Sequence, residues 1–330
     1  MAQFTPLQSH EIAAIAAAYG LGDVRGWRGI AAGTVNSNFA LETDAGPFFL
    51  RINEGKTRHD VEWEAELLSA LRAANVSIVP VRTTLANAVT LPWQCGETVK
   101  YLSLFEWTEG VHLAAADVDP HAAEALGAAL AQMHHATTPL VATLGRGNRY
   151  DFAEISRRAS GFADVNDPQL TAANALIASE LPLLKPHLGA ATQAIIHGDL
   201  FRDNVLWQGP TLRALLDFEQ ASTGSIAYDL AVCIHDWCWR QGYVDWALVA
   251  ALLHGYHRVH GLNAADLVAL PWELRFAAVR FTVTRITDVY LAKQNNPEKD
   301  FRAFLARAEY WRSADAIERL LQLTNSMVTR

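Results

Sequence analysis

One short stretch concentrates side chains able to do chemistry. In Ile195-Ile196-His197-Gly198-Asp199-Leu200-Phe201-Arg202-Asp203-Asn204-Val205-Leu206, an Asp is followed five positions later by an Asn, in a polar loop bracketed by apolar residues. Thirteen positions beyond the Asn, Leu215-Leu216-Asp217-Phe218-Glu219 brings another carboxylate out of an apolar run. Phosphoryl transfer asks little covalent chemistry of a protein. It needs one carboxylate to accept the proton of the attacking hydroxyl, and oxygen ligands to hold Mg2+ on the nucleotide phosphates. An Asp, an Asn and a second Asp supply that set. Taken singly, each reads as a turn cap or a strand end; the three in order point to chemistry. His197 is expected to brace the loop and Asp203 to be a solvated loop carboxylate. Glu219 has two readings, a metal neighbour of Asp217 or the partner of a surface base.

The elements that must position these groups can be read on either side. Thr5-Pro6 before an apolar-periodic run ending at Tyr19-Gly20 predicts a helix with an N-cap, a proline at its first position and a glycine stop. From Trp27 to Ile52, short β-like pieces alternate with glycines, predicting a small antiparallel sheet. His59 to Ala73 has helical spacing at Trp63, Leu67, Leu68 and Leu71. Ile78 to Phe105 returns to strand-like runs. Beyond Glu106 the texture turns helical, with Ala-rich windows at 121–135 and 244–260 and a long helical tail from Trp272. Between them, 194–218 reads as two short strands around polar loops. The expected class is α+β in two lobes: 1–106 with the antiparallel sheet, and 107–330, mostly helical, with the reactive loop.

Composition narrows the function from another side. The 330 residues carry 35 Asp and Glu against 27 Lys and Arg, a formal charge of −8. That balance argues against a non-specific binder of nucleic acid or anionic membrane, so any anion must be held locally. Three cysteines, Cys95, Cys233 and Cys238, at no zinc-ligand spacing fit a reducing compartment. No apolar run approaches a membrane span and the N-terminus has no secretory pattern, so the expectation is a soluble, cytoplasmic chain.

The spacing HxDxxxxN followed by a strand-borne Asp resembles the catalytic loop and metal-binding Asp of the protein-kinase-like phosphotransferases. His197-Gly198-Asp199, Asn204 and Asp217 together resemble the aminoglycoside phosphotransferase-like, or choline kinase-like, branch of that superfamily. The resemblance implies a two-lobed kinase-like fold with ATP and Mg2+ in the cleft, Asp199 as general base, and Asn204 and Asp217 as metal ligands. Tyr228-Asp229-Leu230-Ala231 resembles the branch's following segment, which makes Asp229 a tie for the loop. Leu126-Gly127 and Leu130-Ala131-Gln132-Met133-His134 resemble a helix packed beneath it. A nucleotide site of this kind needs a backbone-rich turn and a cation oriented by a carboxylate. The turn is expected at Gly29 to Phe39, with Gly33, Asn36 and Ser37. The cation is Arg51, where protein kinases carry Lys, and its partner is Glu64 rather than Glu62 or Glu66. Glu106 and Trp107 mark the adenine-side hinge.

A closer resemblance runs along most of the chain, to the homoserine kinases of this phosphotransferase-like type. It rests on Gly33 with Asn36-Ser37-Asn38-Phe39, on Asp199 to Leu206, on Asp236-Trp237-Cys238, on Arg280-Phe281 with Thr284-Arg285 and Asp288, and on Asp300-Phe301. It implies transfer from MgATP to the side-chain hydroxyl of L-homoserine. Glu219-Gln220 stands where that family carries an aromatic pair, and 139–191 matches no known pattern. A small zwitterion needs a cation for its carboxylate and a carboxylate for its ammonium, and Arg202, Asp236, Arg285 and Asp288 are the candidates. Arg285 and Asp288 also have the spacing of a salt bridge along one helix face. The rival acceptor is choline, ethanolamine or another small alcohol, with Trp237, Trp239 and Trp246 as an aromatic cage. A third reading is a kinase-like domain that binds nucleotide without turnover.

Overall fold

The computed structural model describes residues 5–30, 35–294 and 296–328. The chain divides into two units, Met1–Gly110 with Arg213–Leu216, and Val111–Leu212 with Asp217–Arg330.

In the first unit, helix α1 (Ser9–Tyr19) starts later than Thr5-Pro6 predicts, because the Glu11 carboxylate caps it by accepting the Gln8 N–H at 2.8 Å. Thr5 is engaged elsewhere, its N–H donating to Ser37 Oγ and its hydroxyl to Glu54. Gly20 closes the helix at φ +67°, a conformation few side-chain-bearing residues adopt. Strands β1 (Val24–Ile30), β2 (Ser37–Thr43) and β3 (Gly46–Asn53) form an antiparallel meander. Helix α2 (Arg58–Ala73) follows, capped by Thr57 and Asp60. Then come β4 (Val81–Arg82), β5 (Leu91–Cys95) and β6 (Thr98–Glu106), and the sheet order is β1-β2-β3-β6-β4 with β5 also on β6. Strand alternation sends Phe39, Leu41, Leu50, Ile52, Leu102 and Leu104 into one core with Ile12, Ile15 and Tyr19 of α1. Arg51, between Leu50 and Ile52, therefore points to the opposite face, where it meets Glu64 of α2.

The second unit is built on α3 (Pro120–Thr137), α4 (Val141–Leu144), α5 (Phe152–Phe162) and α6 (Thr171–Leu184), followed by β7 (Gln193–Ile196). Three strands rather than two occupy 194–218, since β8 (Val205–Gln208) and β9 (Thr211–Leu215) turn at Gly209-Pro210. The last residues of β9 belong with the first unit, where Leu215 bridges Ile78. Strand β10 (Ser222–Ser225) returns antiparallel to β7, pairing Ser222 with Ile196. Next come α7 (Ile226–Trp237), the two-residue strands β11 (Trp239–Arg240) and β12 (Tyr243–Val244), and α8 (Trp246–His260). The helical tail is α9 (Ala264–Arg285), α10 (Phe301–Tyr310) and α11 (Ala314–Val328), with Asp300 capping α10. Helices α3 and α8 cross at two glycines. A Cβ on Gly127 would lie 2.0 Å from the Leu252 carbonyl oxygen, and one on Gly255 2.1 Å from that of Glu124. Among the described residues, no helix is long and apolar enough to cross a membrane.

Candidate active site

The loop after β7 is held from beneath by one buried carboxylate. Asp229, in the first turn of α7, accepts the N–H groups of His197 at 2.6 Å and Gly198 at 2.7 Å. It also lies 3.0 Å from Nε2 of His134 on α3, whose Nδ1 is 2.7 Å from the Tyr256 hydroxyl. Beside a carboxylate, Nε2 carries a proton and donates it to Asp229. Gly198 supplies the turn at φ +78°. The Asp199 N–H donates to His197 Nδ1 at 3.3 Å, so His197 braces the loop through its ring.

Asp199 stands on this support with its own carboxylate set by a relay. Gln220 Nε2 donates to Oδ2 at 2.9 Å, and Arg280 Nη2 donates to Gln220 Oε1 at 2.6 Å. Arg280 Nη1 lies 3.9 Å from Asp199 Oδ1, and its guanidinium packs on Phe281 and Tyr150, 3.9 and 4.2 Å from the ring centroids. Burial pushes the Asp199 carboxyl above the usual range, against the opposing pull of Arg280, His197 and Lys299. Asn204 donates Nδ2 to the Asp199 carbonyl at 2.8 Å, which fixes its amide and leaves Oδ1 as the acceptor end. Asp217 adopts φ +59°, uncommon for a residue other than glycine, where the chain leaves β9. The turn after it is anchored by Arg146, which donates to the Glu219 and Ala221 carbonyls, each at 2.8 Å. An amide oxygen and a carboxylate are the hard donors Mg2+ prefers, and Mg2+ carried on phosphates needs only one or two of them from the protein. The residues therefore fit the metal. Gln220 and Arg280 are contributions to the Asp199 site that sequence reading missed; their signal is the departure from the aromatic pair at 219–220.

The acceptor candidates divide. Arg202 embraces Asp236, its N–H at 2.8 Å, Nε at 3.0 Å and Nη2 at 3.3 Å from the carboxylate. Arg285, at the end of α9, donates to the Asp300 carbonyl at 3.0 Å and lies 4.4 Å from the Phe304 ring centroid. Burial lowers its pKa to about 10, while the negative charges of Asp236 and Asp199 pull the other way. Arg202 and Asp236 thus pair beside the Asp199 loop, and Arg285 feels the charge of both Asp236 and Asp199. Asp288 does not join them, nor does it pair with Arg285. It receives Arg158 of α5 at 2.8 and 3.0 Å. The tryptophans form no common cage: Trp237 is in the core with its indole N–H on the Leu200 carbonyl, and cations of the protein already sit on Trp239 and Trp246.

In the first unit, Arg51 Nη2 and Glu64 Oε2 form a buried ion pair at 2.7 Å, with Lys56 4.0 Å from the same oxygen. Glu62 pairs with Arg58 at the surface and Glu66 is exposed. Asn36 Oδ1 accepts the Glu54 N–H at 3.1 Å, and the Ser37 hydroxyl donates to the Glu54 carboxylate at 2.7 Å, so both tie the turn to the end of β3. Gly33 lies outside the described residues. Glu106 sits 3.8 Å from Arg82, and the Trp107 N–H donates to the Pro47 carbonyl at 3.2 Å. Trp107 borders a cavity of about 440 Å³ with Trp27, Ala40, Pro47 and Glu109.

Comparison with known proteins shows the family and the fold. Residues 26–267 match the model of the phosphotransferase enzyme family. The homoserine kinase of Methylobacterium radiotolerans is 35% identical over 297 residues, covering 87% of this chain and 88% of that protein. That of Parvibaculum lavamentivorans is 31% identical over 331 residues, covering 94% and 96%. Among solved structures, an amicoumacin kinase in complex with AMP-PNP and Ca2+ superposes with a TM-score of 0.72 at 15% identity, covering 94% and 95% of the two chains. A microcompartment-associated aminopropanol kinase gives 0.71 at 18%, covering 94% and 97%. The fold is therefore the α+β, kinase-like one, with its small antiparallel sheet and mostly helical second unit. With residues 197–217 inside the matched segment and curated relatives aligned along nearly their full length, the chain belongs to the phosphotransferase enzyme family.

Proposed function

We propose that this enzyme transfers the γ-phosphoryl group of ATP to the side-chain hydroxyl of L-homoserine, giving O-phospho-L-homoserine and ADP. The observation that carries the reading is the Asp199 site: a half-buried carboxylate aimed by Gln220 and Arg280, near Arg202, Asp236 and Arg285, in a chain whose curated relatives are homoserine kinases. Asp199 orients the acceptor hydroxyl and takes its proton as the new P–O bond forms. Asn204 Oδ1 and the Asp217 carboxylate are the oxygens that would hold Mg2+. Mg2+ bound there would neutralise charge developing on the phosphoryl oxygens. Arg51, kept in place by Glu64, steadies the α and β phosphates. Trp107 and its neighbours around the cavity in the first unit serve the adenine.

Choline, a quaternary ammonium, is disfavoured because Trp237, Trp239 and Trp246 share no aromatic cage. The test is ADP formation with MgATP across L-homoserine, choline, ethanolamine and 1-amino-2-propanol, with the product identified by 31P NMR. A kcat/KM highest for L-homoserine is expected. Preference for choline rejects the substrate. MgATP binding without ADP formation from any acceptor rejects the enzyme in favour of a binding module.

A further inference from the structure

Beside the acceptor candidates stands an arginine, Arg307, that has no carboxylate at ion-pair distance among the described residues. Arg307 lies on α10 three positions after Phe304, hence on the same helix face. Its guanidinium carbon is 4.2 Å from the Phe304 ring centroid, and that of Arg285, arriving from α9, is 4.4 Å from the same centroid. Trp239 borders the group, 5.4 Å from Arg307. Nε and Nη1 of Arg307 are buried and have no hydrogen-bond partner among the described residues. The nearby carboxylates are engaged elsewhere: Asp236 by Arg202, and Asp300 by Arg302 and the first turn of α10. Asp300 offers Arg285 only its backbone carbonyl. Burial lowers the pKa of Arg307, like that of Arg285, to about 10, and Asp236 is the anion that most counters the effect.

Two desolvated guanidinium groups sharing an aromatic platform without a carboxylate are costly unless a ligand supplies the anion. The platform reaches the loop that carries Asp199, because the Phe304 ring stacks on that of Phe201, two positions beyond Asp199, with centroids 6.2 Å apart. In homoserine only a short carbon chain separates the hydroxyl from the carboxylate. We propose that Arg307, with Arg285, receives the α-carboxylate of the acceptor and so restricts the enzyme to hydroxy amino acids over simple amino alcohols. This rests on the homoserine reading and adds to it the residue that sets specificity.

The test compares L-homoserine with 3-amino-1-propanol, which is homoserine without its carboxylate, in the wild type, Arg307→Gln and Arg307→Lys. The wild type should prefer L-homoserine. Arg307→Gln should reduce the ratio of the two kcat/KM values by about 30-fold or more, mainly through KM for L-homoserine. Arg307→Lys should recover part of the ratio, and affinity for Mg·AMP-PNP should stay within a few-fold, showing an intact fold. An equal fall with both acceptors, or an unchanged KM for L-homoserine, overturns the assignment. Calorimetric titration of L-homoserine into the wild type and Arg307→Gln separates this from the catalytic reading. Binding that the variant loses upholds the arginine receptor even if the wild type turns over no homoserine. No binding to the wild type overturns it.

Discussion

A carboxylate can take a proton from an alcohol only while it is itself ionised, and the burial of Asp199 sets where that condition begins. Its pKa lies above the ordinary Asp range, so the acid limb of kcat/KM should fall at higher pH than an exposed Asp would give. Arg280 is the largest opposing influence, and a positive charge favours the ionised form. Arg280→Met should therefore move that limb further up the pH scale; a shift to lower pH would contradict the relay through Gln220. Asp199→Asn should lower kcat by about 10²- to 10⁴-fold with Mg·AMP-PNP affinity kept, and near-normal turnover would remove it from the role of base. Asp199, Asn204 and Asp217 are legible in the sequence because their spacing is local. Gln220 and Arg280 are not, since the bond between them joins residues 60 positions apart and depends on how α9 packs. Arg307 escapes for the same reason: its site exists only once α9 and α10 meet at Phe304.

At the scale of elements, the loop is only as well placed as the helices beneath it. Helix α3 carries His134 to Asp229, and α3 meets α8 where two glycines let the backbones touch. Gly127→Ala or Gly255→Ala would drive a methyl group into a carbonyl oxygen. Each should cost about 3 kcal/mol or more of stability in urea unfolding, and a neutral effect would show that the crossing can open. On α9, burial pushes the Glu273 carboxyl up to about 7. The folded state thus favours the protonated form, and the penalty is absent below the unfolded pKa near 4.5, grows as pH rises toward 7 and is constant above it. Glu273→Gln should raise the Tm at pH 8 and leave it nearly unchanged at pH 4.5; the opposite pH dependence would refute the buried neutral carboxyl. Periodicity made the sheet, α2 and α3 readable. It misplaced the start of α1, because the choice between Thr5 and Gln8 was made by contacts to Ser37 and Glu54 that no local pattern encodes.

For the molecule as a whole, the texture of the sequence changes near 106, while the two units divide at Gly110 and Val111 with Arg213–Leu216 counted in the first. That excursion is invisible in the sequence because it rests on Leu215 donating its N–H to the Ser77 carbonyl at 2.8 Å. The three cysteines are free thiols; Cys233 and Cys238 are buried, and burial raises their pKa, while Cys95 is partly exposed. A thiol reagent should label one cysteine per native chain and three after unfolding. Rapid labelling of all three would mean that the second unit opens readily. The loop after β7 has a polarity of its own. Between His197 and Asn204, the N–H groups of His197, Gly198, Asp199, Phe201, Arg202 and Asn204 all donate within the protein. What this stretch has left for a ligand is mainly oxygen, in a chain of formal charge −8. Such a rim draws metal ions and hydroxyl protons and repels naked polyphosphate. The enzyme should accordingly recognise ATP through its cation and remain nearly blind to ATP that arrives without one.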